Sequence, residues 1–122
     1  NRMFTIDLQS RIPIYEQLCD KITSLVMKGV LKKGDQLPSV REMAKTLGVN
    51  PNTISKAYNE LERDGVIYSL AGRGSFVGDV EKETVVSEKL RAFDEAVESA
   101  FAVGITAETL KERIDKGEKK ND

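Results

Sequence analysis

Arg41, Asn50, Asn52, Thr53, Ser55 and Arg73 carry the side chains with the most chemical leverage in this chain. Amides and hydroxyls present donors and acceptors that pair with base edges in a DNA major groove, and arginine forks onto phosphate or guanine. Most of the common catalytic arrangements are missing. There is no histidine, a single cysteine, no Walker loop and no dinucleotide fingerprint, which removes the common nucleophilic, metal and nucleotide-dependent arrangements. Paired carboxylates occur only on helical stretches expected to face solvent. The chemistry on offer is recognition without catalysis, and neither a cofactor nor a metal is expected.

Local signals place these side chains on two helices and a hairpin. Ser39 is positioned to cap a helix with Glu42 reaching back to it, a capping box, and Val40, Met43, Ala44 and Leu47 form its buried stripe. Gly48 stops that helix, and only Val49 separates it from the next cap, Asn50. Pro51 suits the first helical position, where its missing N–H costs nothing, and Val49 with Ile54 are placed to staple the entry. Along the second helix Ile54, Ala57, Tyr58 and Leu61 face inward, while Asn52, Ser55, Lys56 and Asn59 project outward. Its end is expected near Asp64-Gly65. Two β-prone runs follow, Val66 to Leu70 and Ser75 to Val77, separated by Ala71-Gly72-Arg73-Gly74, a hairpin with a cationic tip. The order of helix, glycine turn, capped helix and hairpin is that of a winged helix-turn-helix, in which the start of the second helix enters the major groove. Asn52, Thr53 and Ser55 are the base-reading candidates. Lys56 serves equally as a phosphate contact or as a solubilising charge.

At these residues the chain resembles the GntR superfamily of bacterial transcription regulators. The segments that carry the resemblance are PIYEQL (Pro13 to Leu18), GDQLPSVREMAKTLGVNPNTISKAYNELERDGVI (Gly34 to Ile67) and GRGSFV (Gly72 to Val77). The short remainder is similar to that of the small YtrA-like branch. The resemblance implies a dimeric winged-helix repressor on a palindromic operator, often of transporter genes. It also implies that Arg41 touches the operator, that Asn50, Asn52, Thr53 and Ser55 form the contacting start of the recognition helix, and that Gly72 and Arg73 form the wing tip. Pro51 and Ser55 stand where better-known branches carry arginines, so the base preference of those branches does not transfer. The full DNA-facing set expected is Ser39, Arg41, Asn50, Pro51, Asn52, Thr53, Ser55, Lys56, Gly72, Arg73 and Gly74.

The charge balance is uneven along the chain. Residues 1 to 80 hold eleven Lys/Arg against nine Asp/Glu, and residues 81 to 122 hold eight against eleven, for a net charge of −1. The acidity lies in the tail, and the weak overall bias implies few phosphate contacts. No run of about twenty apolar residues exists, and the N-terminus lacks a signal pattern, so a cytoplasmic protein without a membrane span is expected. Asn1 and Arg2, ahead of Met3, read as a tag remnant or a trimmed end. Cys19 falls between Leu18 and Ile22 on a helix, where a packed thiol is the ordinary reading.

The expected fold is mainly α with a small β hairpin: a winged helix-turn-helix over residues 1–79 and a short two-helix dimerisation segment over 80–122. Ile14, Leu18, Ile22, Leu25 and Val26 mark a supporting first helix ending near Gly29. Residues 3 to 8 suit a short strand or an extended arm, and Lys32-Lys33-Gly34-Asp35 a polar connector. The charged run Glu81-Lys82-Glu83 marks a boundary, with a helix beginning near Ser87 and carrying Leu90, Phe93, Ala96, Val97, Ala100 and Phe101 as far as Gly104. Thr106 is placed to cap a second helix with Leu110 and Ile114. Two such helices lack a core of their own, so they either fold back on the winged helix or pair with a second copy; the resemblance implies pairing, through Leu90, Phe93, Val97, Phe101, Leu110 and Ile114, which suits a palindromic site. The alternative from another class is a winged-helix protein-interaction module without DNA binding, which steep weakening by salt would exclude. Whether a small-molecule effector binds is left open, and a ligand-dependent thermal shift would answer it.

Overall fold

In the computed structural model, which describes residues 3–120, the apolar stripe after Pro13 forms the helix α1, Ile14–Met27, and buries Leu18, Ile22, Leu25 and Val26. The capping box and the glycine stop delimit α2, Val40–Leu47, and the Asn50-Pro51 entry begins α3, Pro51–Arg63. The two strands are β1, Ile67–Leu70, and β2, Gly74–Val77. They pair antiparallel from Ile67 opposite Val77 to Leu70 opposite Gly74. Gly74 therefore belongs to the strand and not to the turn, and Val66, expected in β1, is buried just before it. Leu18, Ile22, Met43, Ile54, Leu61 and Val77 are the largest fully buried side chains, so the core draws on all three helices and the hairpin. At about 1.5–3 kcal/mol for each such side chain, this cluster supplies the main drive for folding.

The connector before α2 does more than link. Gly34 N–H donates to Val77 O at 2.8 Å, Val77 N–H to Asp35 O at 2.8 Å, and Leu37 N–H to Ser75 O at 2.9 Å. Gln36 bridges Phe76 across the same edge. Residues 34–37 thus cover the outer edge of β2, which would otherwise offer unpaired backbone groups.

No strand forms over residues 3 to 8. They make an irregular arm that buries Phe4 and is tied to α1 by Gln17. The Gln17 amide accepts from Asp7 N–H at 2.8 Å and donates to Asp7 O at 3.0 Å and Ile12 O at 2.8 Å.

The chain divides into two compact units between Val80 and Glu81, and Val80 packs on the core of the first. The second unit holds α4, Lys82–Ala102, and α5, Ala107–Lys120. The helix α4 begins five residues before the expected Ser87. Glu81 starts it: its carbonyl accepts from Thr84 N–H at 3.1 Å and its carboxylate from the Thr84 hydroxyl at 3.0 Å. The charge run is a first helical turn, where Glu83 suits the positive end of the helix dipole. Gly104 closes α4 and the Thr106 hydroxyl accepts from Thr109 N–H at 3.2 Å, as expected of a cap. No residue of α4 or α5 is buried. Among the described residues no helix is long and apolar enough to cross a membrane.

Candidate nucleic-acid interface

Two caps set the angle between α2 and α3. Ser39 Oγ accepts from Glu42 N–H at 3.1 Å and Glu42 Oε1 accepts from Ser39 N–H at 2.9 Å. These hydrogen bonds hold the Glu42 carboxyl below the usual glutamate range. Gly48, at φ 69°, takes the left-handed turn that sends the chain away from α2. Asn50 Oδ1 accepts from Asn52 N–H at 2.8 Å, which leaves the Asn50 amide NH₂ to donate elsewhere. The buried Tyr58 hydroxyl then donates to Pro38 O at 2.6 Å, tying the middle of α3 to the entry of α2. Burial, followed by the nearby Glu42 charge, raises the Tyr58 pKa well above the ordinary tyrosine value.

On this frame Asn52, Lys56 and Asn59 are exposed along α3, with Thr53 and Ser55 half-buried between them and the core. Pro51 is exposed at the first turn of α3, and Ser39 and Arg41 at the start of α2. Lys56 holds its ammonium 3.9 Å from the centre of the Tyr15 ring, a use that neither sequence reading of this lysine included.

The hairpin tip is held by its main chain and leaves its charge outside. Arg73 N–H donates to Leu70 O at 2.9 Å, and Arg73 O accepts from Gln36 Nε2 at 2.9 Å. Gly72 has φ 74° and Gly74 φ 113°, and a Cβ on Gly74 would stand 2.8 Å from Gln36 Nε2. The positive φ favours glycine there, and a Cβ would push the Gln36 amide off Arg73 O. The Tyr68 and Phe76 rings stack across the strands at 5.7 Å. The Arg73 side chain is exposed, with no ion pair among the described residues. All eleven expected DNA-facing residues therefore lie in the first unit, at the start of α2, along α3 and at the hairpin tip.

Gln36, Tyr58 and Tyr15 brace this surface and Gln17 holds the N-terminal arm, and the sequence pattern marked none of the four for these roles. Gln17 and Tyr15 sit in PIYEQL and Gln36 in GDQLPS, so the only available signal was membership of those segments. Cys19 is partly buried and hydrogen-bonded. Its thiol donates to Ala57 O at 3.4 Å, and burial with the Glu60 and Asp20 charges pushes its pKa up to about 12.

The expected pairing residues lie in the second unit. Leu90, Phe93, Phe101 and Ile114 are exposed, and Val97 and Leu110 half-buried. Phe93, Ala96, Val97, Leu110, Arg113 and Ile114 line an open cleft of about 240 Å³ between α4 and α5.

A helix pair with a capped, polar second helix and a braced cationic hairpin defines a winged helix-turn-helix DNA-binding regulator. The family model for bacterial regulatory proteins of the gntR family matches residues 14–77, and the chain belongs to that family. It is 44% identical to the HTH-type transcriptional repressor YtrA of Bacillus subtilis (strain 168), over 98% of this chain and 100% of that protein. The crystal structure of a transcriptional antiterminator from Listeria monocytogenes EGD-e is similar at TM-score 0.74 and 38% identity, covering 95% of this chain and 90% of that one. The AraR(DBD) solved in complex with operator ORE1 is similar at TM-score 0.53 and 30% identity, over 61% of this chain and 90% of that one. The family's role is transcriptional regulation, which is not enzymatic.

Proposed function

We propose that this protein is a homodimeric transcriptional repressor that occupies a palindromic operator in the cytoplasm and blocks transcription there. Each first unit, residues 1–80, docks one half-site. Asn52, Thr53 and Ser55 on α3 face base edges; Ser39, Arg41, Asn50, Pro51 and Lys56 position the helix pair against phosphates; and Gly72, Arg73 and Gly74 bring the hairpin tip to the duplex. Residues 81–122 join two copies through Leu90, Phe93, Val97, Phe101, Leu110 and Ile114. Two-fold pairing makes the second half-site an intramolecular event and so multiplies affinity.

The observation that carries this reading is the arrangement of α3. Its apolar side is committed to the core, its entry is fixed by Asn50, and its other side is polar, with Asn52, Lys56 and Asn59 exposed. Full-length likeness to a protein named as a repressor supports the sign of regulation. Recovery of bound duplexes from a random-sequence pool by the full chain, followed by footprinting, tests it. A two-fold symmetric consensus with half-sites about one helical turn or a multiple apart is expected. Recovery of no consensus, or of an unpaired site bound by a single copy, would overturn the corresponding half of the proposal.

A further inference from the structure

We infer that Tyr15 is a positioning residue for DNA binding: its ring holds the Lys56 ammonium ready for a backbone phosphate beside the recognition helix. The inference rests on the docking of α3 proposed above. Lys56 lies one turn beyond Asn52 on the same outer face, about 6 Å further along the axis at 1.5 Å per residue. When the start of a helix reads bases, side chains a turn further along the outer face come opposite the flanking phosphates.

A free lysine is a poor partner for that row because ordering its four-carbon stem carries an entropic cost of up to about 2 kcal/mol. Here the Tyr15 ring offers the ammonium a resting place that reduces that cost. Tyr15, the second residue of α1, is half-buried against the core, so its ring is a fixed platform on a different helix. The ammonium sits 3.9 Å above the ring centre while the lysine remains exposed. One face of the ammonium meets the π-cloud, and its other N–H groups stay available to a phosphate oxygen. Lysine at this point of the surface is thus preorganised for phosphate and does not merely keep the face soluble.

The sign of the effect separates this from the opposite arrangement, in which the ring competes with DNA for the ammonium. The measurement is binding of the full chain, as a function of salt, to the duplex it selects from a random-sequence pool. The proteins are the wild type, Tyr15→Phe, Tyr15→Leu, Lys56→Met and the double variant Tyr15→Leu/Lys56→Met. Lys56→Met is expected to lower the salt slope by about one, as for the loss of one phosphate contact. Tyr15→Leu is expected to weaken binding about two- to fivefold, with the slope nearly retained because the charge remains. Tyr15→Phe keeps the ring and is expected to bind as wild type.

In the Lys56→Met background, Tyr15→Leu is expected to cause no further loss. An equal loss in both backgrounds would mean Tyr15 is only structural, and tighter binding by Tyr15→Leu would mean the ring competes; either overturns the inference. Thermal unfolding identifies a variant that fails to fold, and Tyr15→Phe then carries the test against Lys56→Met: a Phe variant with impaired binding or a Met variant with an unaltered slope overturns it. Asn52→Ala is the control for the underlying reading. If it loses discrimination while Lys56→Met changes nothing, only this inference falls. If the wild type selects no duplex, both fall.

Discussion

The two units treat apolar surface in opposite ways. In the first, sixteen hydrophobic residues from Phe4 to Val77 are buried, and every helix commits one face to them. In the second, two helices carry no buried residue at all, and Leu90, Phe93, Phe101 and Ile114 keep 57%, 46%, 50% and 51% of their surface exposed. The polar groups differ as well. The first unit uses side chains to tie distant segments together, as in Tyr58 to Pro38 and Gln36 to Arg73. The second has neighbours along one helix, as in Arg91 with Glu88 and Glu95, each at 2.7 Å. Such exposed pairs are screened by solvent and add little to stability. One unit buries its apolar surface within itself, whereas the other leaves an apolar face open.

The sharpest way to break that contrast is to cut the chain after Val80. The remaining fragment retains its sixteen core residues and is expected to fold as a monomer. Losing the linked second half-site should cost it about 10²- to 10⁴-fold in affinity for a full palindrome while its affinity for a half-site is kept. Sedimentation and binding of the two proteins side by side measure this, and a fragment that still sediments as a dimer would remove residues 81–122 from the interface.

Substitutions in each unit should then separate folding from assembly. Leu18→Ala, at a fully buried position, is expected to destabilise the first unit by about 2–5 kcal/mol. Phe93→Asp should leave the unfolding of that unit unchanged and dissociate the proposed dimer, because it would set an unpaired charge in the proposed apolar contact. Denaturant unfolding at several protein concentrations distinguishes them.

Within the first unit, Asn52→Ala should reduce discrimination between the selected duplex and random DNA by about 1–3 kcal/mol, with nonspecific binding preserved. Equal loss on both duplexes would make Asn52 a positioning residue. Arg41→Ala and Arg73→Ala act on the other term. Each should lower the magnitude of the salt slope by about one, and unchanged slopes in both would place the arginines outside the interface.

The smallest effect belongs to the capping box. Hydrogen bonds from Ser39 hold the folded-state Glu42 pKa below its ordinary value of 4.5. A depressed carboxyl adds stability that is present above that value and fades as pH falls through the folded pKa. Glu42→Gln is expected to remove this part of the acid sensitivity while changing stability little near neutrality, as thermal melts across pH 3 to 7 (roughly the range over which carboxyls titrate) would reveal. An unaltered acid profile would mean the hydrogen bonds do not matter energetically.

What could be decided locally was legible in the residues. The α2 and α3 boundaries follow from Ser39, Glu42, Gly48, Asn50 and Pro51, each acting on backbone within four residues of itself, and the hairpin follows from two β-prone runs around glycine. Polar positions opposite an apolar stripe placed Asn52 and Lys56 on the outer face of α3 for the same reason. The start of α4 was misplaced because Glu81-Lys82-Glu83 reads as a solvated boundary, although Glu81 accepts the bonds that begin a helix. Other features depended on residues brought from elsewhere in the chain. Gln36 grips the main chain of Arg73 across 37 positions, Tyr58 reaches Pro38 across 20, and Tyr15 of α1 meets Lys56 of α3. Caps and periodicity are short-range and are written in order along the chain. Contacts between elements exist only after the core sets α1, α3 and the hairpin side by side, so only the tertiary structure decided how the candidate interface is held.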